Sequence, residues 1–247
     1  TKLIKTILKI ASVKNYLEIK MAKYLKNTSK WGGFLAQFAE FDPLFFNISP
    51  REAMNIDPQE RLFLQCVHET IEDAGYTRES LAQGGHRADK DLATDGNVGV
   101  FVGVMYEEYQ LYGAQELVKG RPIALSGSPA SIANRVSYFC NFDGPSIALD
   151  TMCSSSLTTI HLACQSIRSK GCALAIAGGV NVSVHPNKYL FLAQSKFVSS
   201  KGRCSSFGEG GDGYVPGEGV GAVLLKPLAL AKQDQDQIYG VIKGTAV

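Results

Sequence analysis

The 247-residue sequence lacks several patterns that would define its chemistry at once. It has no C-x-x-C pair and no residues at zinc-ligand spacing, which excludes the common disulfide-exchange and structural zinc motifs. It has no G-x-S-x-G turn and no P-loop, two signatures of hydrolases and nucleoside triphosphatases. No uninterrupted apolar run is long enough for a membrane span. Six cysteines are too few for a disulfide scaffold, so we expect a reduced, cytoplasmic setting.

Charge is nearly balanced overall, with a net charge of +2, but it is uneven along the chain. Residues 1–30 hold eight lysines and one glutamate, a charge of +7, which leaves −5 (2 − 7) for the rest. We therefore expect no nucleic-acid partner for residues 31–247, which we take as the main domain. Apolar residues at helical spacing in the lysine-rich segment predict a helix with a solvated lysine face, or one that binds a membrane surface or a partner.

Predicted strands and helices alternate along the main domain, which indicates an α/β fold. The apolar run 98–104 predicts a buried strand, and a helix over about 129–142 leads into a second strand at 147–149. A helix begins after Cys153, with Leu157 on its apolar side, and a third strand follows at 173–180. This strand–helix–strand order predicts parallel strands in a layered core.

A helix start is well marked at Asp57-Pro-Gln-Glu60. Asp57 can act as the N-cap and Pro58 suits the first helical position. Glu60 completes a pattern similar to a capping box, and Gly75 can end the helix. We expect this helix to be scaffold.

A glycine-rich run spans residues 207–221. Gly208, Gly210 and Gly213 match the G-x-G-x-x-G pattern formally. Dinucleotide binding is excluded because that fingerprint requires a strand before it and a helix after it, whereas the strand-like residues 221–225 follow here. We expect these glycines to let backbone pass close to an active site.

Cys153 stands where the short strand at 147–149 gives way to a helix, which makes it the candidate nucleophile. Free N–H groups and the positive end of the helix dipole favour the thiolate form of a cysteine in such a place. The same N–H groups can stabilise the oxyanion formed when a thiolate attacks a thioester. The alternative is a small hydrophobic residue buried at a tight junction. Three consecutive serines after Cys153 favour the nucleophile because they suit an apolar core poorly.

Several stretches of the chain together resemble the β-ketoacyl synthase, or ketosynthase, domains of modular polyketide synthases. The resemblance covers nearly everything from about residue 29 onward. It rests on Trp31-Gly-Gly-Phe34, Phe41 to Ala53, Asp57-Pro-Gln-Glu-Arg61, Gly144-Pro-Ser146, Asp150-Thr-Met-Cys-Ser-Ser-Ser156 and the glycine-rich run ending Gly217-Glu-Gly219. Two finer motifs, Ile48-Ser-Pro-Arg-Glu52 and His185-Pro-Asn-Lys-Tyr189, are most similar to synthases whose acyltransferase is a separate protein.

The resemblance implies a thiolase-like layered α/β fold, largely the first of its two halves, in a homodimer. It implies an acyltransferase of the β-ketoacyl synthase type in which Cys153 takes an acyl chain from the phosphopantetheine of an acyl carrier domain. Decarboxylative Claisen condensation with a malonyl-type extender would follow. Met152 and Phe207 correspond to substrate-binding residues beside the acyl chain and the pocket. The resemblance implies no metal and no tightly bound cofactor.

The sequence departs from the family pattern in its histidines. Family members use two histidines and a lysine from their second half, beyond the part that this sequence matches. We therefore expect the chain alone to accept an acyl group without completing condensation, and we expect the remaining half of the domain as a partner. His161 lies eight residues after Cys153, about 12 Å along a helix, which is beyond hydrogen-bond reach. His185 is predicted to be structural.

The family's first strand is replaced by the lysine-rich segment, so we expect apolar faces to be exposed at the edges of the core. Two other functions stay open. A non-condensing dimerisation or carrier-docking module is favoured by the missing histidines and disfavoured by Cys153. Another thiolase-fold enzyme, such as a degradative thiolase or a stand-alone fatty-acid synthase component, is disfavoured by the long stretch from Phe41 to Arg61.

Overall fold

A computed structural model describes residues 31–83 and 97–247. The predicted lysine-rich helix and most of the loop predicted between residues 83 and 97 lie outside the described residues. The described helices are α1 Pro50–Asn55, α2 Pro58–Asp73, α3 Arg78–Ala82, α4 Gln110–Val118, α5 Pro129–Cys140, α6 Ser155–Arg168, α7 Pro186–Gln194 and α8 Leu228–Gln233. The strands are β1 Val98–Gly103, β2 Ser146–Leu149, β3 Leu174–Asn181 and β4 Gly219–Leu225. None of the described helices has both the length and the apolar character needed to cross a membrane.

The four strands form one sheet in the order β2-β1-β3-β4. β1 lies between β2 and β3 and runs parallel to both, with Gly103 paired to Leu149 on one side and to Gly179 on the other. β4 adds to β3 in the antiparallel direction. The parallel arrangement predicted from the strand–helix–strand order is confirmed. The carboxyl ends of the three parallel strands meet at one edge of the sheet, where α/β folds commonly bind ligands.

The larger part of the core fills the space between one face of the sheet and helices α2 and α5. Alternate residues of β1 point into it, as expected for a strand whose side chains alternate between faces. Its members include Val98, Val100 and Val102 from β1, Phe63, Val67 and Ile71 from α2, and Ile132, Ala133 and Val136 from α5. This layer makes the sheet a buried platform.

The opposite face of the sheet carries smaller side chains and packs against α6. Its buried cluster consists of Phe101, Ala163, Cys172, Ala175 and Ala177. Leu157, predicted on the apolar side of α6, is instead 71% exposed. That prediction was wrong because small residues, not leucine, occupy the face of α6 that lies against the sheet.

Helix α2 begins as predicted, at Pro58 with Asp57 as its N-cap. The Asp57 carboxylate accepts a hydrogen bond from the Gln59 amide at 2.8 Å. The predicted capping box is wrong, since the Glu60 carboxylate accepts hydrogen bonds from Ser131 at 2.5 Å and Arg135 at 2.8 Å instead. Glu60 therefore ties α2 to α5.

The glycine-rich run forms turns and leads into strand β4, which supports the exclusion of a dinucleotide site. Gly213 has a φ of 152°, and a Cβ atom there would lie 2.5 Å from the carbonyl carbon of Val198. Only glycine fits this close crossing of two backbone segments. The crossing fixes the path of the chain just before β4.

Candidate active site

Cys153 lies in a tight turn that joins β2 to α6. It belongs to a single turn of 3₁₀ helix, Met152–Ser154, and its side chain is exposed. Met152 has a φ of 60°, a left-handed conformation that is uncommon for residues other than glycine. The amide of Met152 donates a hydrogen bond to the Asp150 carboxylate at 2.7 Å. Such a conformation persists only where its surroundings hold it, and it places Cys153 at the tip of the turn.

Hydroxyl groups on both sides of Cys153 hold the turn together. The Ser155 hydroxyl accepts a hydrogen bond from the Thr151 amide at 2.9 Å and donates one to the Met152 carbonyl at 2.6 Å. The Ser154 hydroxyl donates to the Thr151 carbonyl at 2.8 Å, and Ser154 makes no side-chain capping hydrogen bond to α6. The Ser154 hydroxyl therefore does not compete for the N–H groups at the start of the helix.

Glycines at the ends of β1 and β3 let the start of α6 lie directly on the sheet. A Cβ atom at Gly103 would lie 2.7 Å from the carbonyl carbon of Ser155, and one at Gly179 would lie 3.0 Å from the Ser156 Cβ. The Thr159 hydroxyl also donates to the Gly178 carbonyl at 3.0 Å. The helix end that carries Cys153 is thereby held at the carboxyl ends of the parallel strands.

An open cleft of about 760 Å³ lies at this edge of the sheet, and both Cys153 and Met152 line it. Residues 216–223 form another part of its wall. The prediction that the glycine-rich run passes close to the active site is therefore confirmed for its last part. Phe207 is fully exposed and does not line the cleft. Of the two predicted substrate-binding residues, the structure brings Met152 next to Cys153 and leaves Phe207 apart from it.

The other cysteines differ from Cys153 in their surroundings. Burial raises the pKa of the Cys140 thiol to about 12 and also raises the pKa of Cys66 and Cys172. Cys204 is exposed but does not line the cleft. Cys153 therefore combines an exposed thiol with a place in the cleft, which is what a nucleophile that accepts a large substrate requires.

Two polar side chains of the cleft escaped the sequence analysis. Lys188, in α7, is 3% exposed, and burial lowers its pKa to about 8. Its ammonium lies 4.8 Å from the centre of the Tyr106 ring. Burial raises the pKa of Tyr106, and the nearby charges of Glu108 and Cys153 raise it further. Lys188 falls within the motif that suggested the subfamily, but nothing in the local pattern indicates that its ammonium is buried.

The three histidines in the described part of the chain do not line the cleft. His161 lies with its Nδ1 atom 2.9 Å from the Thr245 hydroxyl. His185 is the N-cap of α7, where its Nδ1 atom accepts a hydrogen bond from the Asn187 amide at 3.2 Å. Burial lowers the pKa of His185, which agrees with a neutral ring that accepts this bond. His68 lies 3.4 Å from Glu72 on α2.

Comparison with known families decides what this arrangement belongs to. Residues 6–231 match the family described as Beta-ketoacyl synthase, N-terminal domain. The chain belongs to this family. The match begins within the lysine-rich segment, and the boundary predicted at residue 30 stays a prediction. The thiolase-like fold expected from the resemblance is confirmed by solved ketosynthases.

One similar structure is the oxazolomycin ketosynthase domain OzmH KS7 of Streptomyces albus JA3453. It has a TM-score of 0.78 and 58% sequence identity over 85% of this chain and 34% of that chain. Another is the ketosynthase from module 6 of the bacillaene synthase of Bacillus subtilis 168, with a TM-score of 0.76 and 38% identity over 89% and 35% of the two chains. This ketosynthase chain thus spans about a third of each.

Curated relatives are much longer polyketide synthases. Polyketide synthase PksL of Bacillus subtilis (strain 168) is 71% identical over 222 residues, which are 90% of this chain and 5% of PksL. Polyketide synthase ThaG of Burkholderia thailandensis is 63% identical over 90% of this chain and 4% of ThaG. These relatives place the ketosynthase chain among polyketide synthases and match only a small part of them.

Proposed function

We propose that this chain is the acyl-accepting part of a polyketide ketosynthase, with Cys153 as its nucleophile. The observation that carries the proposal is the exposed thiol of Cys153 at the start of α6, inside the cleft at the carboxyl ends of the parallel strands. Similarity to named polyketide synthases and ketosynthases supports the same conclusion. We infer that the acyl donor is a phosphopantetheine thioester on an acyl carrier domain.

The first step is thioester exchange. The Cys153 thiolate attacks the thioester carbonyl, and the oxyanion that forms lies against the N–H groups at the start of α6. The bond from carbon to the pantetheine sulfur then breaks, and the pantetheine leaves as a thiolate that takes up a proton. Cys153 keeps the acyl group as a new thioester, with Met152 beside the chain.

The second step is condensation. Loss of CO₂ from a malonyl-type extender gives a carbanion, which attacks the acyl thioester on Cys153, forms a carbon–carbon bond and releases the cysteine thiolate. We assign the decarboxylation to the two histidines and the lysine of the family's second half. The residues described here would then hold and present the acyl chain. We propose that the assembled enzyme is a homodimer and that Phe207 contacts substrate only in that assembly.

A condensation assay with two matched variants tests this function. The full-length protein that contains this chain is incubated with an acyl-carrier and a malonyl-carrier substrate, and the β-ketoacyl product is measured. We expect Cys153→Ala to lower product formation by about a thousandfold or more. Cys204→Ala removes the other exposed thiol and should retain full activity. Equal activity in both variants would exclude Cys153 as the nucleophile.

A further inference from the structure

Lys188 brings a buried positive charge into a cleft whose walls are mainly glycine, alanine, valine and isoleucine. Its ammonium donates a hydrogen bond to the Asn181 side-chain oxygen at 2.6 Å. Within the described part of the chain, no carboxylate forms an ion pair with it, and Glu108 instead binds its backbone N–H at 3.2 Å. An ammonium carries three donors and is costly to bury without partners. Two of its donors are thus available to a ligand in the cleft.

Tyr106 adds a second unsatisfied group at the same place. Its hydroxyl is buried, and within residues 31–83 and 97–247 it has no hydrogen-bond partner. Its ring lies against the Lys188 ammonium, and Tyr106 lines the cleft together with Cys153. Buried hydroxyls without partners are rare in native proteins and call for an explanation. A ligand oxygen would supply the missing partner.

Asn181 holds this pair in position. Its amide nitrogen donates to the Gly217 carbonyl at 2.5 Å, while its oxygen accepts from Lys188. β3 and the glycine-rich wall of the cleft are thereby linked through one side chain. Because the site is assembled from β3, α7 and the residues after β1, the polar groups are held in place before any ligand arrives.

We propose that Lys188, Tyr106 and Asn181 form a polar subsite that binds an oxygen on the third carbon of the acyl chain carried by Cys153. This inference rests on the proposed function of Cys153 and adds a substrate class to it: 3-hydroxyacyl and 3-oxoacyl chains. Lys188 and the Tyr106 hydroxyl are shut off from bulk solvent, so the oxygen they bind belongs to a group inside the cleft. A phosphate at the far end of a pantetheine arm fits this position poorly.

The third-carbon oxygen has two chemical sources, the acyl chain and the carboxylate of a malonyl extender. Acylation of Cys153 in the absence of any extender separates them. The full-length protein is mixed with butanoyl-pantetheine or 3-hydroxybutanoyl-pantetheine, and the rate of adduct formation on Cys153 is followed by mass spectrometry. The ratio of the two rates measures the preference for the oxygen and cancels differences in the reactivity of the thiol.

We expect the wild-type protein to prefer the 3-hydroxy probe, and Lys188→Met to lower that preference about tenfold, with the butanoyl rate little changed. Tyr106→Phe removes only an unpartnered hydroxyl, so it should fold normally and still lower the preference about threefold to tenfold. Lys232→Met and Tyr138→Phe, on exposed side chains, are the matched controls.

The outcomes separate this inference from the function on which it rests. If the folded wild-type protein accepts neither probe, the proposed acyl transfer fails. If both probes react and the rate ratio is the same in Tyr106→Phe, Lys188→Met and wild type, the subsite is overturned and acyl transfer stands. An equal fall in both rates would make Lys188 a structural residue and would also overturn the subsite. A defect seen only when malonyl extender is added would assign Lys188 to the extender instead.

Discussion

Asp57 shows how one side chain can cap a helix and carry a buried charge. It is 2% exposed, and desolvation raises its pKa to about 6, although the Gln59 amide and the charge of Arg61 act in the opposite direction. The folded state therefore favours the protonated form more than the unfolded chain does. Its contribution to stability is full below about pH 4 and is lost as the pH rises through about 6.

Two substitutions at Asp57 separate the cap from the charge. Asp57→Asn keeps an acceptor for the Gln59 amide and removes the charge, so at pH 8 it should be at least as stable as wild type. Asp57→Ala loses the cap, and its free energy of unfolding should be about 1 kcal/mol lower than that of Asp57→Asn. Urea denaturation at pH 5 and pH 8 measures both. Equal stability of the two variants would show that the cap contributes nothing.

Local rules predicted the residues whose partners are close in sequence and failed where the partners are distant. The Asp57 cap depends on an amide two residues away, and Cys153 depends on the strand and helix on either side of it. Glu60 was misassigned because its partner Arg135 lies 75 residues away. The burial of Lys188 likewise depends on elements far along the chain, so no local pattern could indicate it.

At the scale of elements, the position of α6 depends on the absence of side chains at the ends of β1 and β3. A methyl group at Gly103 would meet the backbone of Ser155 and Ser156 at 2.7 to 2.8 Å, so Gly103→Ala must push the helix start away from the sheet. We expect a loss of about 1–3 kcal/mol in the free energy of unfolding, with slower acylation of Cys153.

Gly219→Ala is the control for this effect. Gly219 lies in β4 and lines the same cleft, and a Cβ atom there would meet nothing within 4 Å. The variant should change stability by no more than about 0.5 kcal/mol. Chemical denaturation and acylation rates of both variants give the comparison. If Gly103→Ala were as stable and as reactive as Gly219→Ala, close packing of α6 would not be needed for the site.

The type of most elements around the site followed from sequence, but the packing of α6 did not. Apolar spacing predicted the helix and placed Leu157 on its buried side. The structure buries Ser155, Thr159 and Ala163 instead, because the facing strands carry glycine and alanine and leave room only for small side chains. A hydrophobic pattern shows which residues are apolar, and it cannot show how close two elements come.

For the whole molecule, the order of strands and helices predicted the layered α/β architecture, while the sheet order required the structure. β1 lies between β2 and β3, so the strand that carries Cys153 is at an edge of the described sheet. Apolar side chains are exposed on both edge strands, with Ile147 40% and Val223 41% exposed. The expectation of exposed apolar faces thus agrees with the described part of the chain.

Acylation of Cys153 by a simple thioester tests the central claim most directly. The folded full-length protein is incubated with butanoyl-pantetheine, digested, and its peptides are mapped by mass spectrometry. We predict one butanoyl adduct, on the peptide that contains Cys153, with Cys204 unmodified in the same sample. An unmodified Cys153 in folded protein, or equal labelling of Cys153 and Cys204, would contradict the account.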